Sequence, residues 1–346
     1  MTTHNYQAGK ESGQFHGEVR QDQSLNSPVI ILSYTDPLNS DHNLSVKIAP
    51  ELGSNLFSYR AGNYDLIYCE DELLKQKAFT GNFVLWPFPN RIRDKKYSYH
   101  GQEHSLADVP RPADQPVLIH GLVYDRSWHY QQPVILHDKA QVITFIDITP
   151  ESPYYAAYPF DSRLSLTYTL TSRGVAVSYT VHNKGQQTLP FGFALHPYFA
   201  LRSGTNNVTV SIPAETVMEA DTMLLPTTRL LDVGTVMYKM FDLREPRPVH
   251  TLKLDHVYTD LTPDISAVIH YPQQHMRLSL SATADFTHVV IYTPPDGGPF
   301  FCLENQTCAT DAINLHARGL DQIGHLLEVK AGEEMSGTIS YTVDFE

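Results

Sequence analysis

The chain has 346 residues, of which 42% are hydrophobic and 18% are charged, and its formal net charge is -13. This composition is typical of a folded globular protein and excludes a disordered chain. The acidic balance argues against nucleic acid or an anionic membrane as a partner, because no extended basic surface is available to neutralise phosphates.

Cysteine usage and the N-terminal segment indicate the compartment and the absence of metal. The three cysteines cannot all pair with one another, and neither C-x-x-C nor H-x-x-x-H spacing suggests a zinc site. The first residues lack the apolar core of a signal peptide, and no apolar run approaches the ~18 residues of a membrane span. We therefore expect a soluble, cytoplasmic protein without a metal.

The first part of the chain divides into a polar segment and a run of strands. Residues 1–27 are polar and aperiodic, and we expect them to form a tail or loosely docked leader. Residues 28–346 are expected to form a single domain. Its first strand patterns are VIILSY, NLSVKIAP, NLFSYR and YDLIYC, followed by a short helix between Glu70 and Lys77.

The middle of the chain carries the clearest β pattern. Residues 164–170 alternate apolar and small polar side chains, and so do residues 175–181 after a turn that ends at Gly174. This period of two on both sides of a glycine turn predicts an antiparallel hairpin. Further strands are expected in VTVSIP, RLSLSAT, HVVIYTP and GTISYTVDF, and a second short helix over 311–317.

These elements predict an all-β fold, a large antiparallel β-sandwich. Many short strands are separated by turns in a chain with 23 prolines and 19 glycines, and strands do not alternate with helices. No glycine-rich phosphate loop follows a strand, which disfavours a nucleotide enzyme. No repeat of fixed period is present, which disfavours a propeller.

Polar groups interrupt several aromatic segments. His196 lies in the apolar run PFGFALHPYFAL, and burial of an imidazole requires a hydrogen-bonding partner or a chemical task. A lone histidine of this kind is more often a core residue, but His120 and Glu304 occur in similar surroundings, and Asp255 stands next to His256. Aromatic walls around a few polar groups suit a sugar-sized pocket. These residues alone leave a β-sandwich enzyme and a carbohydrate-binding protein equally open.

An ordered set of short motifs resembles the aldose 1-epimerase (galactose mutarotase) family over most of the chain, from about residue 28 to the end. The motifs are Asn90-Arg91-Ile92, His120-Gly121, His196-Pro197-Tyr198-Phe199, Asp255-His256 and Glu304-x-Gln306. The region of His120 reads PVLIHGL, which departs from the pattern typical of the family and indicates a divergent member.

The resemblance implies a galactose mutarotase-like supersandwich and an isomerase of carbohydrate metabolism that interconverts the α and β anomers of a free aldohexose. It makes Glu304 the general base and His196 the general acid, and it implies no cofactor. The resemblance implies that Asn90, Arg91, His120 and Asp255 bind the sugar. We add Trp128 as an aromatic candidate for sugar binding. For Trp128, as for Trp86 and Tyr124, stacking on a sugar and filling the core stay open.

Two other functions remain open at this point. The cluster of Arg91, Arg93, Lys95 and Lys96 is the only clustered set of cations, and it motivates a hexose-6-phosphate epimerase of the same fold. A carbohydrate-binding protein that keeps the pocket without the proton chemistry is the other alternative, and a lyase or glycosidase is a weaker one. The expected partner is a small-molecule sugar, and both a monomer and a homodimer are compatible with the sequence.

Overall fold

A computed structural model describes residues 13–110, 116–201 and 207–346. Strands make up 49% of the structure and helices 11%, which confirms the all-β prediction. In this part of the chain, none of the helices combines the length and the apolar character that crossing a bilayer requires.

The strands are short and follow one another closely along the chain. The first fourteen are β1 (Gln14–Asp22), β2 (Ser27–Thr35), β3 (Leu44–Ala49), β4 (Asn55–Ala61), β5 (Tyr64–Asp65), β6 (Asn82–Leu85), β7 (Arg91–Ile92), β8 (Lys96–Tyr99), β9 (Gln102–Ser105), β10 (Leu118–Ile119), β11 (His129–Tyr130), β12 (Val134–Ile135), β13 (Lys139–Ile148) and β14 (Ser162–Thr171). The others are β15 (Gly174–Asn183), β16 (Leu189–Phe191), β17 (Ala194–Ala200), β18 (Thr209–Ser211), β19 (Ala214–Ala220), β20 (Pro226–Asp232), β21 (Arg247–Pro248), β22 (Asp255–Leu261), β23 (Ala267–Tyr271), β24 (Met276–Ala282), β25 (His288–Tyr292), β26 (Phe300–Gln306), β27 (Leu327–Val329) and β28 (Glu334–Phe345).

The helices are few and short. The α-helices are α1 (Asp71–Lys75), α2 (Ala312–Ala317) and α3 (Asp321–Gly324). The first two confirm the helices expected over 70–77 and 311–317. Short 3₁₀ helices occur at Ser40–His42, Pro50–Leu52, Arg93–Lys95, Val236–Phe241, Val249–Thr251 and Pro272–Gln274.

Three large antiparallel sheets build the fold, and the pairs β7–β10, β8–β9 and β16–β27 form small two-stranded sheets among the described residues. The first has the order β1-β2-β3-β4-β5, the second β20-β19-β22-β25-β26-β17-β6, and the third β11-β13-β14-β15-β28-β24-β23-β18-β21 with β12 paired to β13. One hydrophobic cluster joins them, with contributions such as Val46 from the first sheet, Leu303 from the second and Val177 from the third. The sheets therefore share a core, as the sandwich prediction requires.

The predicted hairpin is present as β14 and β15. Thr171 pairs with Gly174, so the loop has two residues, and buried and half-buried positions alternate along both strands. Gly174 has φ 150°, and a Cβ atom there would lie 2.0 Å from the carbonyl oxygen of Tyr341. A glycine is required because any side chain would collide with the neighbouring strand.

The expected N-terminal tail is wrong for residues 14–22. This stretch forms β1 and pairs with β2 along its whole length, from Gln14 opposite Thr35 to Asp22 opposite Ser27. Its side chains alternate only weakly between buried and exposed, because β1 is an edge strand whose outer face contacts water. The polar residues of this stretch therefore gave no strand signal. The rest of the expected tail, residues 1–12, lies outside the described residues.

Candidate active site

The register of two neighbouring strands brings His196 and Glu304 together. β17 and β26 are antiparallel, with Ala194 opposite Gln306 and Tyr198 opposite Cys302. His196 and Glu304 are midway between these pairs, so they lie opposite each other, and side chains at opposed positions share one face of the sheet. The alternate residues of β26, such as Leu303, point into the hydrophobic core.

The two side chains form a buried pair. Nε2 of His196 lies 3.2 Å from Oε1 of Glu304, and the residues are 6% and 2% exposed. Burial raises the pKa of Glu304 and lowers the pKa of His196, because in both groups it penalises the charged form. Both shifts favour the neutral pair, in which Glu304 carries the proton and His196 carries none, and the 3.2 Å contact lets this proton pass to Nε2 of His196.

Aromatic rings fix the plane of the His196 imidazole. The ring of Phe83 stacks on it at 4.7 Å between centroids, and the ring of Tyr198 does so at 5.2 Å. His120 meets it edge-on, with 4.9 Å between the ring centroids. These contacts hold Nε2 in the direction of Glu304. Phe83 was not predicted, because within the continuous apolar run NFVLW its sequence position does not distinguish it from core residues.

His120 and Asn90 reach the site through two unusual backbone conformations. Both residues have positive φ, 63° for His120 and 59° for Asn90, and the backbone N–H of His120 donates to the carbonyl of Asn90 at 2.7 Å. Positive φ is uncommon for residues other than glycine, although asparagine and histidine tolerate it better than most. This local geometry brings two motifs that are 30 positions apart in the chain next to the buried pair.

Arg91 and Asp255 lie at the edge of the same site. Nη1 of Arg91 donates to Oδ1 of Asn90 at 2.8 Å, and the two residues line a small cavity of about 20 Å³ together with Asp255. Burial raises the pKa of Asp255, and the Arg91 guanidinium opposes this shift. The same guanidinium disfavours the protonated forms of Glu304 and His196. Six of the seven expected site residues thus lie in one neighbourhood.

Trp128 is the expected site residue that the structure places elsewhere. It is 2% exposed within the core cluster, and its indole N–H donates to the carbonyl of Val123 at 3.1 Å. Trp86 is also fully buried in the core. Tyr124, in contrast, contacts the rings of Phe79 and Phe83, beside His120. Of the three aromatic candidates, only Tyr124 borders the site.

The basic cluster near Arg91 is largely engaged by carboxylates. Nη2 of Arg93 lies 3.2 Å from Asp221, and its Nε lies 3.9 Å from Asp311. Lys96 pairs with Glu103 at 3.0 Å. A phosphate at this position would have to compete with these carboxylates, so the cluster gives little support to a phosphorylated substrate.

A larger cleft of about 580 Å³ lies elsewhere, on the opposite face of β26. Asn305, Phe286, Val289 and His325 are among its lining residues. The expected site residues do not line it, and His325, the one histidine among its described lining residues, is exposed. Among the described residues, no group of three or more His, Cys, Asp or Glu side chains is arranged to hold a metal ion. The buried pair on the other face of β26 therefore remains the best candidate for acid–base chemistry.

The comparisons with known proteins agree with this fold. The family model for aldose 1-epimerase matches residues 37–342, and the chain therefore belongs to the aldose 1-epimerase family. The uncharacterized protein YihR of Escherichia coli is 27% identical over 212 residues, which span 61% of this chain and 64% of that protein.

Solved structures share the fold at low sequence identity. A galactose mutarotase-like protein from Clostridium acetobutylicum has a TM-score of 0.79 at 19% identity and covers 96% of this chain and 99% of its own. A galactose 1-epimerase from Lactobacillus acidophilus has a TM-score of 0.72 at 17% identity, and the match covers 96% of this chain and 99% of that protein. The galactose mutarotase-like sandwich is thereby confirmed.

Proposed function

We propose that the protein is an aldose 1-epimerase that interconverts the α and β anomers of a free aldohexose. The observation that carries this proposal is the 3.2 Å contact between a buried histidine and a buried glutamate, His196 and Glu304, with Arg91 and Asp255 close by. Mutarotation requires one acid and one base at the same carbon centre, and this pair supplies both. Family membership supports the same chemistry.

The reaction begins once the shared proton has moved from Glu304 to His196, which leaves Glu304 ionised as the base and His196 protonated as the acid. Oε1 of Glu304 removes the proton from the anomeric hydroxyl, while Nε2 of His196 donates its proton to the ring oxygen. The bond between C1 and the ring oxygen breaks, and the free aldehyde forms. Rotation about the C1–C2 bond presents the other carbonyl face, and closure reverses both proton transfers.

The surrounding residues bind the sugar in this proposal. Arg91 and Asp255 are charged groups at the edge of the site that can hold ring hydroxyls by charge-assisted hydrogen bonds. His120 and Asn90 complete the polar side, while Phe83 and Tyr198 offer aromatic faces to the C–H surface of the ring. Because Nε2 and Oε1 are already in contact, the substrate has to separate them as it binds.

Substitution of the pair tests the proposal. Glu304→Gln and His196→Asn are each expected to slow the decay of optical rotation of fresh α-D-glucose or α-D-galactose by ~10²–10⁴-fold, the usual contribution of one acid or base. His104→Asn is the matched control, because His104 is also buried but stacks on Tyr97 outside the site. Its rate should stay near wild type.

The same assay separates the other functions. Faster conversion of glucose 6-phosphate than of glucose would favour the phosphorylated substrate instead. Sugar binding by isothermal titration, without any acceleration of anomer exchange, would identify a carbohydrate-binding protein. Full activity in Glu304→Gln and His196→Asn would contradict the assigned roles.

A further inference from the structure

The side chain of Gln306 is fully buried next to the proposed base. It is 0% exposed, and its Nε2 donates to Oε2 of Glu304 at 3.0 Å. Gln306 and Glu304 are two positions apart on β26, so they share the face that carries His196. Because Gln306 is fully buried and its amide N–H is bound to Glu304, any role in the reaction has to act through Glu304.

The neighbouring strands confine the Gln306 amide. Ala194 on β17 and His288 on β25 are its partners in register, and both are fully buried. Within the described parts of the chain, Oε1 of Gln306 has no hydrogen-bond partner. A buried carbonyl without a partner costs free energy. The amide keeps this orientation because the reverse one would direct its carbonyl oxygen at the carboxylate of Glu304.

The two oxygens of Glu304 consequently differ. Oε2 accepts from Gln306, and Oε1 faces Nε2 of His196. We infer that Gln306 is a positioning residue: by binding Oε2 it fixes the rotation of the carboxylate and leaves Oε1 as the oxygen that exchanges the proton with the sugar. This inference rests on the proposed function of the pair and adds the residue that orients the base.

Gln306 also stabilises the ionised form of Glu304. Burial raises the pKa of this carboxyl, and the hydrogen bond from Gln306 opposes that shift. Other titratable or charged groups act on Glu304 or lie beside Gln306 from the surrounding strands, and they remain unchanged when Gln306 is replaced: Arg91, His196, Tyr198, Asp255, His288, Cys302 and Tyr341. A change in the pH dependence on substitution of Gln306 therefore reports the lost hydrogen bond.

The test uses Gln306→Met, which keeps the length of the side chain and removes the donor. We expect kcat to fall by ~10-fold and the limb of the kcat/KM pH profile that reports the ionisation of Glu304 to move up by ~1 pH unit, the effect of losing a hydrogen bond to a charged group. KM should stay within about twofold, since the buried Gln306 does not contact the sugar. Gln141→Met is the matched control, because the side chain of Gln141 also donates a hydrogen bond, to Thr169. Both of these residues are in the third sheet, away from the candidate site.

The alternative is that Gln306 only supports the fold. A lower kcat with an unmoved pH profile in Gln306→Met would reflect a smaller active fraction and overturn the inference. A raised KM with an unchanged kcat would assign Gln306 to sugar binding and overturn it as well.

A second measurement does not depend on the variant folding or on epimerase activity. The side-chain amide resonance of Gln306 in ¹⁵N-labelled wild-type protein should shift with pH in step with Glu304, and this titration should disappear in Glu304→Gln. A pH-independent Gln306 resonance in the wild type would refute the inference. If the wild type does not catalyse mutarotation, the proposed function fails, while this titration still decides whether Gln306 and Glu304 are coupled.

Discussion

At the scale of single residues, Arg91 connects the polar edge of the site to the buried pair. Its side chain is held by Asn90, and its charge acts on Asp255, His196 and Glu304. A guanidinium of this kind has two expected effects. It binds sugar hydroxyls, and it favours the ionised carboxylates.

Replacement of Arg91 separates binding from chemistry. Arg91→Met is expected to raise KM by ~10-fold or more through loss of hydrogen bonds from a charged group. It should also raise the pKa of Glu304, because a positive charge that lowers it is gone. Steady-state kinetics across pH measure both effects. Arg93→Met is the control, since Arg93 is paired with Asp221 and Asp311 and its loss should leave KM unchanged. A fall in kcat alone in Arg91→Met would place Arg91 in the chemical step instead.

At the scale of elements, the edge strand β1 is part of the fold. The ring of Phe15 contacts the ring of Tyr34 on β2, with 5.0 Å between centroids, and Phe15 packs against the main core cluster. A half-buried phenylalanine contributes less than a fully buried one, for which truncation to alanine costs ~3–5 kcal/mol.

Truncation of Phe15 tests the contribution of β1. Phe15→Ala is expected to lower the free energy of unfolding by about 1–2 kcal/mol, a reduced value for a side chain that is only partly buried. Urea denaturation measures it. Leu38→Ala, at a side chain that is 90% exposed, should change stability by less than about 0.5 kcal/mol. Equal stability of both variants and the wild type would mean that β1 packs too loosely to stabilise the protein.

At the scale of the whole molecule, buried hydroxyl groups join the sheets. The Tyr168 hydroxyl on β14 donates to the carbonyl of Ser54 at 2.6 Å, and Ser54 directly precedes β4 of the first sheet. The hydroxyl of Ser54 bonds the hydroxyl of Thr144 on β13 at 2.7 Å. Tyr59 on β4 donates in the same way to the carbonyl of Tyr341 on β28 at 3.2 Å. These bonds set the spacing of two sheets that are otherwise held by apolar contacts.

Removal of one hydroxyl measures this connection. Tyr168→Phe leaves the buried Ser54 carbonyl without its donor and is expected to cost ~1–3 kcal/mol of unfolding free energy. Chemical denaturation followed by tryptophan fluorescence reports it. Tyr155→Phe, at a half-buried tyrosine, should stay within about 0.5 kcal/mol of the wild type. A neutral Tyr168→Phe would show that water replaces the lost donor.

The sequence by itself determined the all-β class, the hairpin of β14 and β15, the two short helices and the motifs of the site. Period-two alternation and turn residues are local properties, so they can be recognised from the sequence of each segment alone. The identities of His196, Glu304, Arg91, His120, Asp255 and Asn90 came from an ordered family resemblance, since the residues alone did not distinguish a catalytic histidine from a core histidine.

Only the tertiary structure decided which of these residues meet. The register of β17 against β26 sets His196 opposite Glu304 although 108 positions separate them, and no local pattern encodes a register between distant strands. Long-range packing likewise buries Trp128 in the core and pairs Arg93 with two carboxylates. It also explains why a polar N-terminal stretch forms an edge strand, since that stretch pairs with β2. It also placed Gln306 on Oε2 of Glu304, because burial and hydrogen-bond partners are properties of the assembled sheet.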